Sequence, residues 1–119
     1  MTVEEVRRKR LLNEQAQDAL LLEKRQTERQ QDRYQHLFFQ EKQLAEGLVE
    51  KYYGTRSGAQ YEEYIEQVRR DEWQVLETLE EIQEKWQKQE RQLEDQNERL
   101  YQEELALLKA EEEEWDGQS

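Results

Sequence analysis

The sequence contains no cysteine and no proline, and among its 119 residues there are only four glycines, one methionine and one histidine. Without cysteine there is no disulfide framework and no thiolate metal site, which suits a reducing cytoplasm. With His36 as the lone histidine, a histidine-based metal cluster or catalytic triad is excluded. No apolar run approaches the roughly 20 residues that a membrane span requires. Arg7–Arg10 is followed by Leu11 and Leu12, but Asn13 and Glu14 then interrupt any apolar segment of signal-peptide length, so no secretory signal is expected. Gly54-Thr55-Arg56-Ser57-Gly58 lacks the lysine and the preceding strand of a phosphate-binding loop. The Glu111–Glu114 run lacks EF-hand spacing and reads as a solvated helix end. The expectation is a non-enzyme with no catalytic residue, metal or cofactor, and a cytoplasmic location.

Charge is abundant and unevenly placed. Charged residues make up 40% and hydrophobic ones 34%, too little apolar surface for a compact globule of this length. Such a composition suits either disorder or long helices that bury a narrow seam. Residues 1–53 hold ten basic and ten acidic side chains, while residues 54–119 hold eight and twenty, so the second half carries the whole net charge of −12. A surface of that sign repels phosphate backbones and anionic membranes. Protein partners are the class left.

Periodicity decides for helices. Residues 1–51 are dominated by good helix formers. A break follows at Tyr52-Tyr53-Gly54-Thr55-Arg56-Ser57-Gly58-Ala59, with Gly54 suited to a left-handed C-cap and Ser57 to an N-cap. From Gln60 the chain again lacks proline and glycine until Asp116-Gly117, which is expected to end the helix. The reading is one all-α domain over 1–119, with helices at about 2–53 and 60–115 and a turn at 54–59. In the second helix Tyr61, Val68, Val75 and Ile82 fall seven apart, and Ile65, Leu79, Trp86, Leu93, Leu100 and Leu107 hold the complementary position, with Glu72 the exception. Beyond Trp86 the first position turns polar, at Gln89, Gln96 and Glu103. The first helix offers Tyr34, Leu37 or Phe38, Leu44, Leu48 and Tyr52 near the turn, continued weakly by Leu20, Leu12 and Val6, and Glu23–Arg33 is almost wholly polar.

So short a connection suits antiparallel neighbours. Folding near residue 56 sets Leu48 beside Tyr64 or Ile65, Leu44 beside Val68, Leu37 beside Val75, Tyr34 beside Leu79, Leu20 beside Leu93 and Leu12 beside Leu100. It also lays Arg7–Arg10 beside Glu103, Glu104 and the Glu111–Glu114 run. The expected architecture is a long antiparallel two-helix hairpin, coiled-coil-like. Phe39, Leu21, Leu22, Tyr53, Trp73, Leu76, Tyr101 and Leu108 fall off its seam. Rings left in water are common in interfaces, so Trp73, Leu76, Tyr101, Phe39 and Leu108 are the expected partner-binding residues. The polar Glu23–Arg33 stretch leaves a homodimer open.

At the turn, Tyr52-Tyr53-Gly54 resembles the Trp-x-Gly turn of the WXG superfamily of helical hairpins, with Tyr52 in place of tryptophan. There an aromatic ring covers the end of the seam and the glycine permits the reversal; Tyr52, Gly54 and Gly58 are the turn residues here. Over most of its length, including Glu90–Leu105, the chain is similar to the second class of LXG-associated α-helical proteins of Firmicutes, acidic hairpins rich in Gln and Glu. That resemblance implies a targeting factor, or chaperone, for toxins with an N-terminal LXG domain. Such a factor binds the helical LXG domain together with a partner hairpin and promotes export by the type VIIb secretion system. Export signals of that system take the form Tyr-x-x-x-Asp/Glu or Phe-x-x-x-Asp. Phe38, Phe39, Tyr61, Tyr64 and Tyr101 are each followed at that spacing by the wrong residue. The resemblance then implies that the partner supplies the signal, with co-export of this chain alongside the toxin left open.

Two other classes fit a helical hairpin. One is the stalk protein of a type III or flagellar export ATPase, whose first helix is usually strongly basic, whereas this one is neutral. The other is a plain coiled-coil scaffold.

Overall fold

The structure, a computed structural model, describes residues 1–118. Two α-helices, α1 (Val3–Lys51) and α2 (Arg56–Gln118), pack antiparallel as a hairpin with no strand among the described residues. α1 opens on a reciprocal cap: the Glu5 amide donates to Thr2 Oγ1 at 3.2 Å and the Thr2 amide to Glu5 Oε2 at 3.4 Å. α1 ends at Lys51, short of the expected 53, whereas α2 begins ahead of the expected 60. Helix α2 starts at Arg56, so Ser57, Gly58 and Ala59 form its first turn, and it runs past Asp116-Gly117 to Gln118.

Helix–helix packing divides into two compact units, Met1–Lys24 with the residues from Lys85 onward, and Arg25–Glu84. In the Arg25–Glu84 unit, Ala45 on α1 and Ile65 and Val68 on α2 are buried, with Phe38, Leu48, Tyr61, Val75, Leu79 and Ile82 half-buried. Glu72, the exception in the α2 heptad, is half-buried because Lys42 Nζ donates to its Oε2 at 2.7 Å. The helices therefore cross that layer with an ion pair instead of a hydrocarbon contact.

The α1 side of this seam is not the stripe expected from sequence. Leu44 is 70% exposed, Leu37 54% and Tyr34 51%. The residues facing α2 are instead Gln31, Phe38, Lys42 and Ala45, one helical step around from the leucines. Ala45, buried at 2% exposed, marks the line of contact on α1. Phe38 then supplies the bulk next along. Sequence reasoning favoured the more hydrophobic stripe, whereas the packed stripe is the one that fits the space.

In the other unit Val6, Leu20, Trp86 and Leu100 are buried, and Leu93 half-buried, but polar layers alternate with them. Leu12, expected beside Leu100, is exposed. Asn13 is buried, and its Nδ2 donates to the Leu93 carbonyl and to Gln96 Oε1, each at 3.1 Å. Lys24 pairs with Glu90. Arg7 and Arg10 both grip Glu104, which is buried. Past Trp86 the seam leaves the Gln89, Gln96 and Glu103 series, which is exposed, and passes to Glu90, Asn97 and Glu104. The step from Ile82 to Trp86 to Glu90 is four residues twice over, which rotates the contact line around α2.

Candidate functional site

The turn residues converge. Gly54 has φ 78°, the left-handed conformation that closes α1. Thr55, and not Ser57, caps α2: its Oγ1 accepts from the Gly58 amide at 3.1 Å and donates to the Tyr52 carbonyl at 2.5 Å. Thr55 also donates its amide to the same carbonyl at 3.1 Å. Gly58 is buried with its Cα against that carbonyl, and a Cβ there would collide with the Tyr52 oxygen. The Tyr52 ring packs beside Tyr61, centroids 6.0 Å apart and planes tilted by 37°. Lys51 Nζ lies 5.5 Å from the Tyr52 ring centroid. Tyr52, Gly54 and Gly58 are thus one interlocked reversal, and Tyr53 stands out in solvent.

The expected partner-binding residues are all at least partly exposed, Phe39, Trp73 and Leu76 in one unit and Tyr101 and Leu108 in the other. Trp73, 70% exposed, shares a shallow groove with half-buried Leu76, and Gln31, Glu77, Glu80 and Gln83 also line it. A large ring beside an aliphatic side chain, rimmed by carboxylates, suits an apolar helix with basic flanks. Tyr101 belongs to the other unit and is already engaged, with the Arg10 guanidinium 5.3 Å from its ring centroid. Phe39 is exposed next to the half-buried Phe38, and Leu108 shares one exposed face of α2 with Leu105 and Tyr101. Trp73 and Leu76 line one groove.

Sequence reasoning missed a second exposed apolar area. Tyr34, Leu37 and Leu44, displaced from the seam, stand with half-exposed Tyr64 on the flank of the Arg25–Glu84 unit. The signal was present as two overlapping stripes in α1, one through Phe38 and Ala45 and one through Leu37 and Leu44.

Electrostatics concentrate at Glu104. Hydrogen bonds from Arg7 and then Arg10 hold its carboxyl below the ordinary glutamate range, outweighing the opposing effect of burial. His36 is a surface residue whose Nε2 meets Gln40 Nε2 at 3.0 Å, one turn on. Among the described residues no group of three or more His, Cys, Asp or Glu side chains is placed to hold a metal ion. Among the described residues no helix is long and apolar enough to cross a membrane.

No curated protein and no solved structure matches the chain significantly. Residues 2–107 match the model of a family described as a protein of unknown function (DUF3958), and since that span covers most of its length the chain belongs to this family.

Proposed function

We propose that this chain is a non-enzymatic targeting factor that binds the helical LXG domain of a toxin, with a partner hairpin, for export through the type VIIb secretion system. The observation that carries the reading is the groove holding Trp73 and Leu76, apolar at its centre and acidic at its rim. A ring of that size left 70% in water is an anchor awaiting a pocket. The resemblance of Tyr52-Tyr53-Gly54 to the Trp-x-Gly turn supports the family context. Gly54 at φ 78° does there what the motif glycine is expected to do. The acidic second helix favours a client helix with basic residues flanking its apolar face, and such charges speed encounter more than they tighten binding.

The test is co-expression with the LXG toxin encoded beside it. A stable complex by size exclusion, and loss of export of that toxin alone when the gene is deleted, are the expected results. A chain that ignores the toxin and instead stimulates a rotary export ATPase would overturn the reading.

A further inference from the structure

In the Arg25–Glu84 unit α1 carries two apolar stripes and uses only one of them. Phe38 and Ala45 face α2. Tyr34, Leu37 and Leu44 follow one another at the three- and four-residue steps of a second coiled-coil seam, with Glu41 the single interruption, and lead to Leu48, which is half-buried against α2. Two open grooves follow one another along this flank, a channel interrupted where Leu37 stands, since Leu37 lines neither. Near the turn the channel is lined by Leu44, Leu48, Tyr61 and Tyr64, and two heptads further along by Tyr34, Val75, Thr78 and Ile82. It lies on the opposite flank of α2 from Trp73, since Leu79 and Gln31 line the grooves on both sides.

The charge of the lining says what covers it. The charged side chains lining the channel are Glu41 and Asp71, with no lysine or arginine among the lining residues. A second copy of this chain would bring the same carboxylates face to face, at a net charge of −12 per chain. A helix with cations beside its apolar stripe meets them favourably.

We propose that this channel takes an amphipathic α-helix of another protein, packed along the exposed Tyr34, Leu37 and Leu44, with Lys or Arg flanking its apolar stripe. The proposal rests on the reading of the chain as a binding module, but not on the identity of its client. Occupied on both flanks, α2 would be gripped between the Trp73 groove on one side and this channel on the other.

The probe is a fluorescein-labelled peptide of about four heptads with Leu at the a and d positions and Lys at e and g, titrated against the full chain. A matched peptide with Glu at e and g is the control. The Lys peptide binds and the Glu peptide does not. The double variant Leu37→Ser/Leu44→Ser, altered at solvent-exposed positions, keeps its circular dichroism and weakens binding on the order of tenfold or more. The Trp73 groove suits the same peptide, so the double variant is also compared with its parent in a Trp73→Ser background, where the loss persists. Equal binding by the double variant in that background, no binding at all by Trp73→Ser, or equal binding of the Glu peptide overturns the proposal. So does a dimer in sedimentation that the double variant dissolves, since the occupant would then be a second copy. Failure here with an intact toxin complex counts against this channel only. Peptide binding without a toxin complex counts against the client alone.

Discussion

At the scale of single residues, the turn and the tryptophans separate what folds the chain from what it offers to others. Gly58 sits where its Cα touches the Tyr52 carbonyl, so Gly58→Ala must push the first turn of α2 away. A loss of about 1–3 kcal/mol in urea unfolding is expected, as for overpacking elsewhere. Gly54→Ala forces a side chain into the left-handed region at φ 78° and should cost at least about 1 kcal/mol. Thr55→Ala removes the cap and should cost about 1 kcal/mol, whereas Ser57→Ala should be nearly silent. Reversal of that last pair would return the cap to Ser57. Trp86 is 5% exposed and Trp73 is 70% exposed. Trp86→Ala should therefore lose about 3–5 kcal/mol, enough to unfold a chain of two helices. Trp73→Ala should stay within about 0.5 kcal/mol of the parent in thermal unfolding.

At the scale of the helices, the hairpin was legible because the Gly-containing break and the α2 heptad are strong, local signals. Ile65, Val68, Trp86 and Leu100 could be read as buried from their seven-residue spacing alone. The α1 side was less legible, since hydrophobicity marks both of its stripes and cannot rank them by fit. Tyr34, Leu37 and Leu44 look like core by composition, yet Ala45 and Phe38 face α2 instead. The seam beyond Trp86 was illegible for another reason. It includes Glu90, Asn97 and Glu104, and the charges of Glu90 and Glu104 enter it because Lys24 meets the one and Arg7 and Arg10 meet the other. The Arg7 and Arg10 hydrogen bonds hold the Glu104 pKa below its ordinary value, so the stabilisation is present above that value and is lost as pH falls through the folded one. Unfolding should grow easier on acidification below the usual glutamate range, and Glu104→Gln should flatten that part of the profile. Superimposable pH profiles for the two proteins would show that the clamp contributes nothing.

At the scale of the molecule, the helix pair is held by a narrow seam and leaves much of its apolar side-chain surface to solvent. That is a poor arrangement for a protein acting alone and a good one for a component of a helical assembly. The candidate site was partly legible: Trp73 and Leu76 were placed off the seam by counting heptads, but Tyr101 could not be separated from them without seeing Arg10 over its ring. The assembly reading is tested most directly by amide hydrogen exchange of the chain, free and mixed with the helical domain of its neighbouring toxin. The account predicts slowed exchange in α2 around Trp73 and Leu76 on mixing, with the turn at residues 52–55 little changed. Unaltered exchange along both helices, or protection confined to the turn, would contradict it.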